Sequence, residues 1–143
     1  MTALPFVETA FSGVLCANAL QHLPDAQSRS RSVRELARVA QSGAKVVVSV
    51  HNYSQSKRRA GWPKEGSAGG HSGPVQWIHR FDVHEFETLL SEGLQVKKVV
   101  GAGLPLYYQF KLTPLMRVVE RLLGQFYLST VWSNMLIGVG IRR

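Results

Sequence analysis

The chain of 143 residues is long enough for one domain and too short for two. Hydrophobic residues make up 45% and charged residues 18%, a globular balance that argues against wholesale disorder. The single cysteine excludes an internal disulfide and paired CxxC zinc sites, and the net charge of +8 favours anionic contacts without choosing among nucleic acid, acidic lipid and phosphorylated substrate.

The N-terminus has no basic leader, since the first Lys or Arg is Arg29. No apolar run approaches the ~18 residues that span a bilayer. A cytoplasmic protein without a transmembrane segment is therefore expected.

Val14 to Ala17 is a continuous apolar run, the pattern of a strand covered on both faces. Pro24-Asp25 opens a helix with Asp25 as N-cap. Val33, Leu36, Ala37 and Ala40 recur at i, i+3, i+4 and i+7, one apolar stripe, and Gly43 is expected to stop the helix. Ala44 to Val50 reads as a second buried strand. Strand, helix and strand predict a right-handed crossover with parallel strands and an α/β fold.

Residues 53–74 hold five of the thirteen glycines, with prolines, serines and the basic run Lys57-Arg58-Arg59. So long a loop behind a strand's C-terminal end reads as a lid or insert, here 53–77. Asp82 with Glu85 predicts a capping box, and Phe81 with Phe86 a hydrophobic staple. Gly93 closes that helix and Val96 to Val100 follows as a strand. Thr113 and Pro114 predict a further helix start, and Met135 to Ile141 a last strand.

Leu4-Pro5-Phe6, the stretch Phe11 to Asp25 with its His22-Leu23-Pro24-Asp25 turn, and Arg34-Glu35-Leu36-Ala37-Arg38-Val39 occur in a telling order. Together with His79-Arg80-Phe81-Asp82 they resemble a class I S-adenosylmethionine-dependent methyltransferase of the type 11 group. The resemblance covers essentially the whole chain. Ser12, Ser42 and Ala44 depart from the family pattern. The family's first strand and GxGxG cofactor loop have no counterpart, because Gly101-Ala102-Gly103 follows a late strand. The resemblance thus implies a partial Rossmann-like methyltransferase domain over residues 1–143. It is the C-terminal part of a doubly wound, mostly parallel sheet with an antiparallel last strand.

What the resemblance implies for function is methyl transfer from S-adenosylmethionine to a small, apolar organic acceptor. Asn18 and Ala19 would contact the cofactor's amino-acid portion. Methyl transfer needs alignment and a dry site, and a base only where a proton must leave. His51, at the end of the second strand, is the first candidate base and His22 the second; the alternatives are a satisfied strand-end histidine for His51 and a histidine bonded to neighbouring backbone for His22. Asn52, Tyr53, Trp62, His71 and Trp77 are candidate substrate contacts, with the aromatic residues of the loop forming a lid. A metal site from His71, His79 and His84 lacks a ligand spacing, so none is assigned. Cys16 reads as core.

Two other readings stay open: a non-catalytic truncated remnant, and a basic module for nucleic acid or anionic lipid, although no base-reading fold is evident. The outer edge of the first strand is expected to be unpaired and apolar. This predicts dimerisation, aggregation or pairing with a complementing N-terminal fragment.

Overall fold

In the computed structural model, residues 1–68, 76–103 and 129–143 are described. Among them, β1 (Phe11–Ala17), β2 (Ala40–His51), β5 (Gln95–Ala102) and β6 (Met135–Ile141) form one sheet in the order β1-β2-β6-β5. A small second sheet pairs β3 (Glu65–Ala68) with β4 (Gln76–His79). The helices are α1 (Ala26–Val39), α2 (Gln55–Arg59), α3 (Val83–Ser91) and α4 (Ser129–Trp132), and a 3-10 turn spans Leu20–His22.

β1 pairs in parallel with β2, as the strand–helix–strand pattern predicts. β6 is antiparallel to both β2 and β5. Three of the four strands therefore share one direction and the last runs against them, an α/β architecture.

α1 begins where its sequence says it should. The Asp25 side chain accepts from the Ser28 amide at 2.7 Å, satisfying one of the orphan donors of the first turn. Val33, Leu36 and Ala37 are buried as one stripe, and Ala40 is buried with them. The helix stops earlier than Gly43, which corrects the expected boundary. Ala40 already has extended backbone and pairs with Phe11. The Arg38 carbonyl at the helix end accepts from the Thr9 amide at 3.0 Å and from the Arg142 guanidinium at 3.1 Å. Those donors do the work of a C-terminal cap, so no glycine is needed there. Gly43, at φ 76°, instead lies in an irregular stretch of β2, where the register with β1 jumps between Phe11 and Gly13.

α3 follows its sequence signals more closely. Asp82 accepts from the Glu85 amide at 2.9 Å, and the Phe81 and Phe86 rings meet with centroids 5.8 Å apart. Glu85 does not return the bond to complete a capping box; its carboxylate turns to His79 and Lys64. α1 and α3 pack side by side on one face of the sheet, where Val46, Val48, Val50 and Leu136 are fully buried. Cys16 lies in this core, and burial pushes its thiol upward.

The expected 53–77 loop carries regular structure. α2 and β3 fall inside it and β4 begins in it, and β3 and β4 pair antiparallel, with Glu65 opposite His79. Glycine and serine content signalled a loop, but register, ion pairs and an aromatic stack organise it. His71 and the expected helix start at Thr113-Pro114 lie outside the described residues.

Candidate functional site

Parallel β1 and β2 end side by side. Their register runs to Ala17 opposite Ser49, and the Asn18 amide then donates to the Ser49 carbonyl at 3.0 Å. Asn18 takes a left-handed φ of 53°, which turns the chain sharply away from the strand. Ala19 follows as the residue before the 3-10 turn. This strand-end edge is where open α/β sheets form a ligand crevice.

Across it, β2 delivers His51 and Asn52. Gln21, fully buried, ties the two strand ends together: its Oε1 accepts from the His51 amide at 2.9 Å. His22 Nδ1 lies 3.0 Å from the Trp77 carbonyl, which can only accept, so this nitrogen carries the hydrogen. Its Nε2 faces the Gln21 side-chain amide at 3.4 Å. Both ring nitrogens of His22 are therefore engaged. The His51 ring has no hydrogen-bond partner among the described residues. Burial, then the nearby Lys57, Arg80 and His22, push its imidazole downward, toward the neutral form.

Asn52 is buried and held. Its side-chain amide donates to the Thr130 carbonyl at 2.6 Å and the Ser133 carbonyl at 2.9 Å, anchoring β2 to α4. Its carbonyl accepts from the Lys57 ammonium at 2.9 Å, and the Asn134 carbonyl lies 3.3 Å from the same ammonium. Burial, with help from Arg80, lowers Lys57 to about 8. Asn52 and Tyr53 also line a cavity of about 350 Å³ with Ser54, Arg58, Asp82 and Thr130.

The aromatic candidates are joined by hydrogen bonds and ring contacts. The Tyr53 hydroxyl donates to the Trp62 carbonyl at 2.9 Å, and Arg58 lies over the Tyr53 ring at 5.0 Å. Trp62 is half-exposed, with the Arg80 guanidinium 5.4 Å from its ring centroid. Trp77 stacks on His79 at 6.2 Å. The structure thus brings His22, His51 and Trp77 toward one strand-end edge, next to Asn18 and Ala19. Tyr53 and Trp62 form a neighbouring group.

Sequence reasoning gave Lys57 and Arg80 no place in the site and weighed His79 only as a metal ligand. His79 is buried between two carboxylates, with Nδ1 2.6 Å from Glu65 and Nε2 2.6 Å from Glu85. Lys64 adds ion pairs to Glu85 at 2.8 Å and to Asp82 at 3.3 Å. This network fastens the β3–β4 hairpin to the start of α3.

A cofactor cradle is less complete. A Cβ at Gly101 would collide with the Ser129 carbonyl and the Ser133 hydroxyl, so Gly101-Ala102-Gly103 serves the packing of β5 on α4. Among the described residues no glycine-rich strand–loop–helix turn occurs. Asn18 and Ala19 thus stand at the strand end with no glycine-rich turn described around them. Beside them, β1 and the N-terminal residues line an open apolar groove of about 480 Å³.

Residues 1–48 match the family model described as a methyltransferase domain. No curated protein matches the chain. Among solved structures, an S-adenosylmethionine-dependent methyltransferase from Methanosarcina mazei is similar at 17% identity and a TM-score of 0.60, over 98% of this chain and 61% of that one. One from Listeria monocytogenes is similar at 16% identity and a TM-score of 0.62, over 99% and 66%. Geranyl diphosphate C-methyltransferase from Streptomyces coelicolor, solved with S-adenosyl-L-homocysteine, matches at 11% identity and a TM-score of 0.57, over 99% and 50%. The chain has the fold of S-adenosylmethionine-dependent methyltransferases along nearly all its length. It spans half to two thirds of the length of these structures.

Proposed function

We propose that this chain forms the acceptor side of an S-adenosylmethionine-dependent methyltransferase acting on a small organic molecule. The observation that carries this reading is the shared end of parallel β1 and β2, beyond which Asn18, Ala19 and His51 follow, with His22 bonded to the Trp77 carbonyl beside them. The cofactor would supply an electrophilic methyl group on sulfur. Asn18 and Ala19 would touch its amino-acid portion. His51, whose ring has no hydrogen-bond partner among the described residues and is pushed by burial toward its neutral form, would take the proton of an acceptor that must lose one. His22 would hold Trp77 in place through its Nδ1 bond and leave the proton step to His51. Asn52, Tyr53, Trp62 and Trp77, with His71, would surround the acceptor, and the 53–77 segment would act as its lid.

The outer edge of β1 is then where a complementing strand–loop–helix segment carrying the cofactor's glycine-rich cradle would pair. Support comes from the exposed edge itself and from the part of each neighbour's length that this chain does not cover.

The test is titration of the chain with S-adenosylhomocysteine, followed by amide NMR. Shifts concentrated at Asn18, Ala19 and His51 are expected, even where affinity is weak. A spectrum unchanged up to millimolar ligand would overturn the reading.

A further inference from the structure

Beside His51 the chain gathers positive charge and leaves it without a carboxylate. Arg80 is only 8% exposed. One of its N–H groups donates to the Pro63 carbonyl at 2.8 Å, and its guanidinium rests over Trp62. Lys57 is half-buried and spends two of its three donors on the Asn52 and Asn134 carbonyls. His51 and His22 complete the group.

The described acids, Glu87 of α3 apart, are committed elsewhere. Glu65 and Glu85 hold His79, and Asp82 pairs with Arg58 and Lys64. Glu8, Glu35 and Glu92 pair with Arg142, Arg38 and Arg34. Asp25 caps α1. No described carboxylate lies within ion-pair distance of Lys57 or Arg80.

Carbonyls and an aromatic face satisfy donors but cannot cancel charge. Two neighbouring cations kept partly out of water, with no counter-ion, are costly unless an anion joins them. Arg80 and Lys57 still offer donors of the kind that grip an oxyanion, a planar guanidinium fork and an ammonium. The mixture of these cations with Trp62 and Trp77 suits an organic body with a charged group.

We propose that the crevice binds a ligand bearing an oxyanion, a carboxylate or a phosphate, seated on Arg80 and Lys57 beside His51. Resting on the methyltransferase reading, this makes the methyl acceptor an anionic organic molecule. The anion would fix the acceptor's orientation, leaving its nucleophilic atom toward the cofactor side of the crevice. Negative charge beside His51 would also strengthen it as a proton acceptor.

The experiment titrates the full chain with inorganic phosphate, benzoate and neutral benzamide at constant ionic strength, reading tryptophan fluorescence. Each titration is repeated with S-adenosylhomocysteine present. A saturable response to phosphate or benzoate, and none to benzamide, is expected. Preference for phosphate marks a phosphorylated acceptor, and preference for benzoate a carboxylate one. Arg80→Gln and the milder Lys57→Gln should each weaken anion binding about tenfold, the loss for one charge-assisted hydrogen bond. Arg34→Gln, on the outer face of α1, should leave it unchanged. No saturable response to either anion overturns the proposal, as does equal affinity in a folded Lys57→Gln chain. Anion binding without S-adenosylhomocysteine binding would leave this site standing and remove the methyltransferase reading; the opposite result would do the reverse.

Discussion

At the β5–β6 flank of the sheet, Phe86 and Leu90 of α3 press onto Gly138, and Leu94 onto Gly140. A Cβ at Gly138 would collide with Leu90 and come within 3.0 Å of Phe86, so the two glycines create the room that the helix fills. At the opposite flank, β1 shows Leu15 73% exposed and Phe11 37% exposed, and Val7 just before it is 77% exposed. Both flanks are apolar in sequence. One is closed by helix-to-strand contact and the other faces an open groove. An apolar run therefore specifies a strand, while its burial depends on what the rest of the molecule lays against it.

The largest expected effect lies on the closed flank. Phe86 is fully buried among Phe81, Leu90 and the Gly138 backbone. Phe86→Ala should cost about 3–5 kcal/mol, because the cavity sits against a rigid strand that cannot collapse into it. Urea unfolding followed by circular dichroism measures this. A loss below about 1 kcal/mol would mean that this flank is as loosely packed as the other, against the usual scale for buried aromatics.

Legibility in the sequence follows the same division. Local signals were enough where the chain closes on itself. Asp25 and Asp82 cap their helices, Phe81 and Phe86 staple one of them, and the Val33–Leu36–Ala37 stripe is buried. What escaped were features made by residues far apart in sequence. The end of α1 is set by Thr9 and Arg142, and Gly43 looked like the stop only because neither could be foreseen. The β3–β4 hairpin is held by His79 between Glu65 and Glu85, contacts that no period or motif announces. At the site, His51 and Asn52 were readable as strand-end residues. Lys57 was readable only as part of a basic run and Arg80 as part of a helix entry, since their burial comes from tertiary structure.

A smaller effect separates that hairpin from the sheet. Burial pushes the Glu85 carboxyl upward, but hydrogen bonds from His79 and Lys64 outweigh it and lower the group to about 2. Its folded value thus lies below the ordinary 4.5, so its stabilisation is complete above 4.5 and is lost as pH falls toward 2. Glu85→Gln should lose about 1–2 kcal/mol at neutral pH, the worth of charge-assisted bonds partly screened by solvent. Its acid unfolding curve should be flatter than the parent's below pH 4.5. Parallel curves for the two proteins would show that the hairpin is not fastened through this carboxylate.

The smallest effect on stability, and the sharpest test of the open flank, comes from Leu15→Lys. Leu15 sits mid-strand on the edge with its side chain in solvent, so the substitution removes almost no packed surface. Stability in dilute solution should change by less than about 0.5 kcal/mol. Association should respond far more strongly. An exposed apolar edge invites another strand, and a lysine there raises the desolvation cost of pairing while adding charge to an already basic chain. Light scattering across a concentration series should show the parent associating and the variant staying smaller. Should Leu15→Lys instead destabilise a dilute chain by more than about 1 kcal/mol, the side chain must be covered in solution, because exposed leucines do not carry that much. The two flanks would then differ only in whose residues close them.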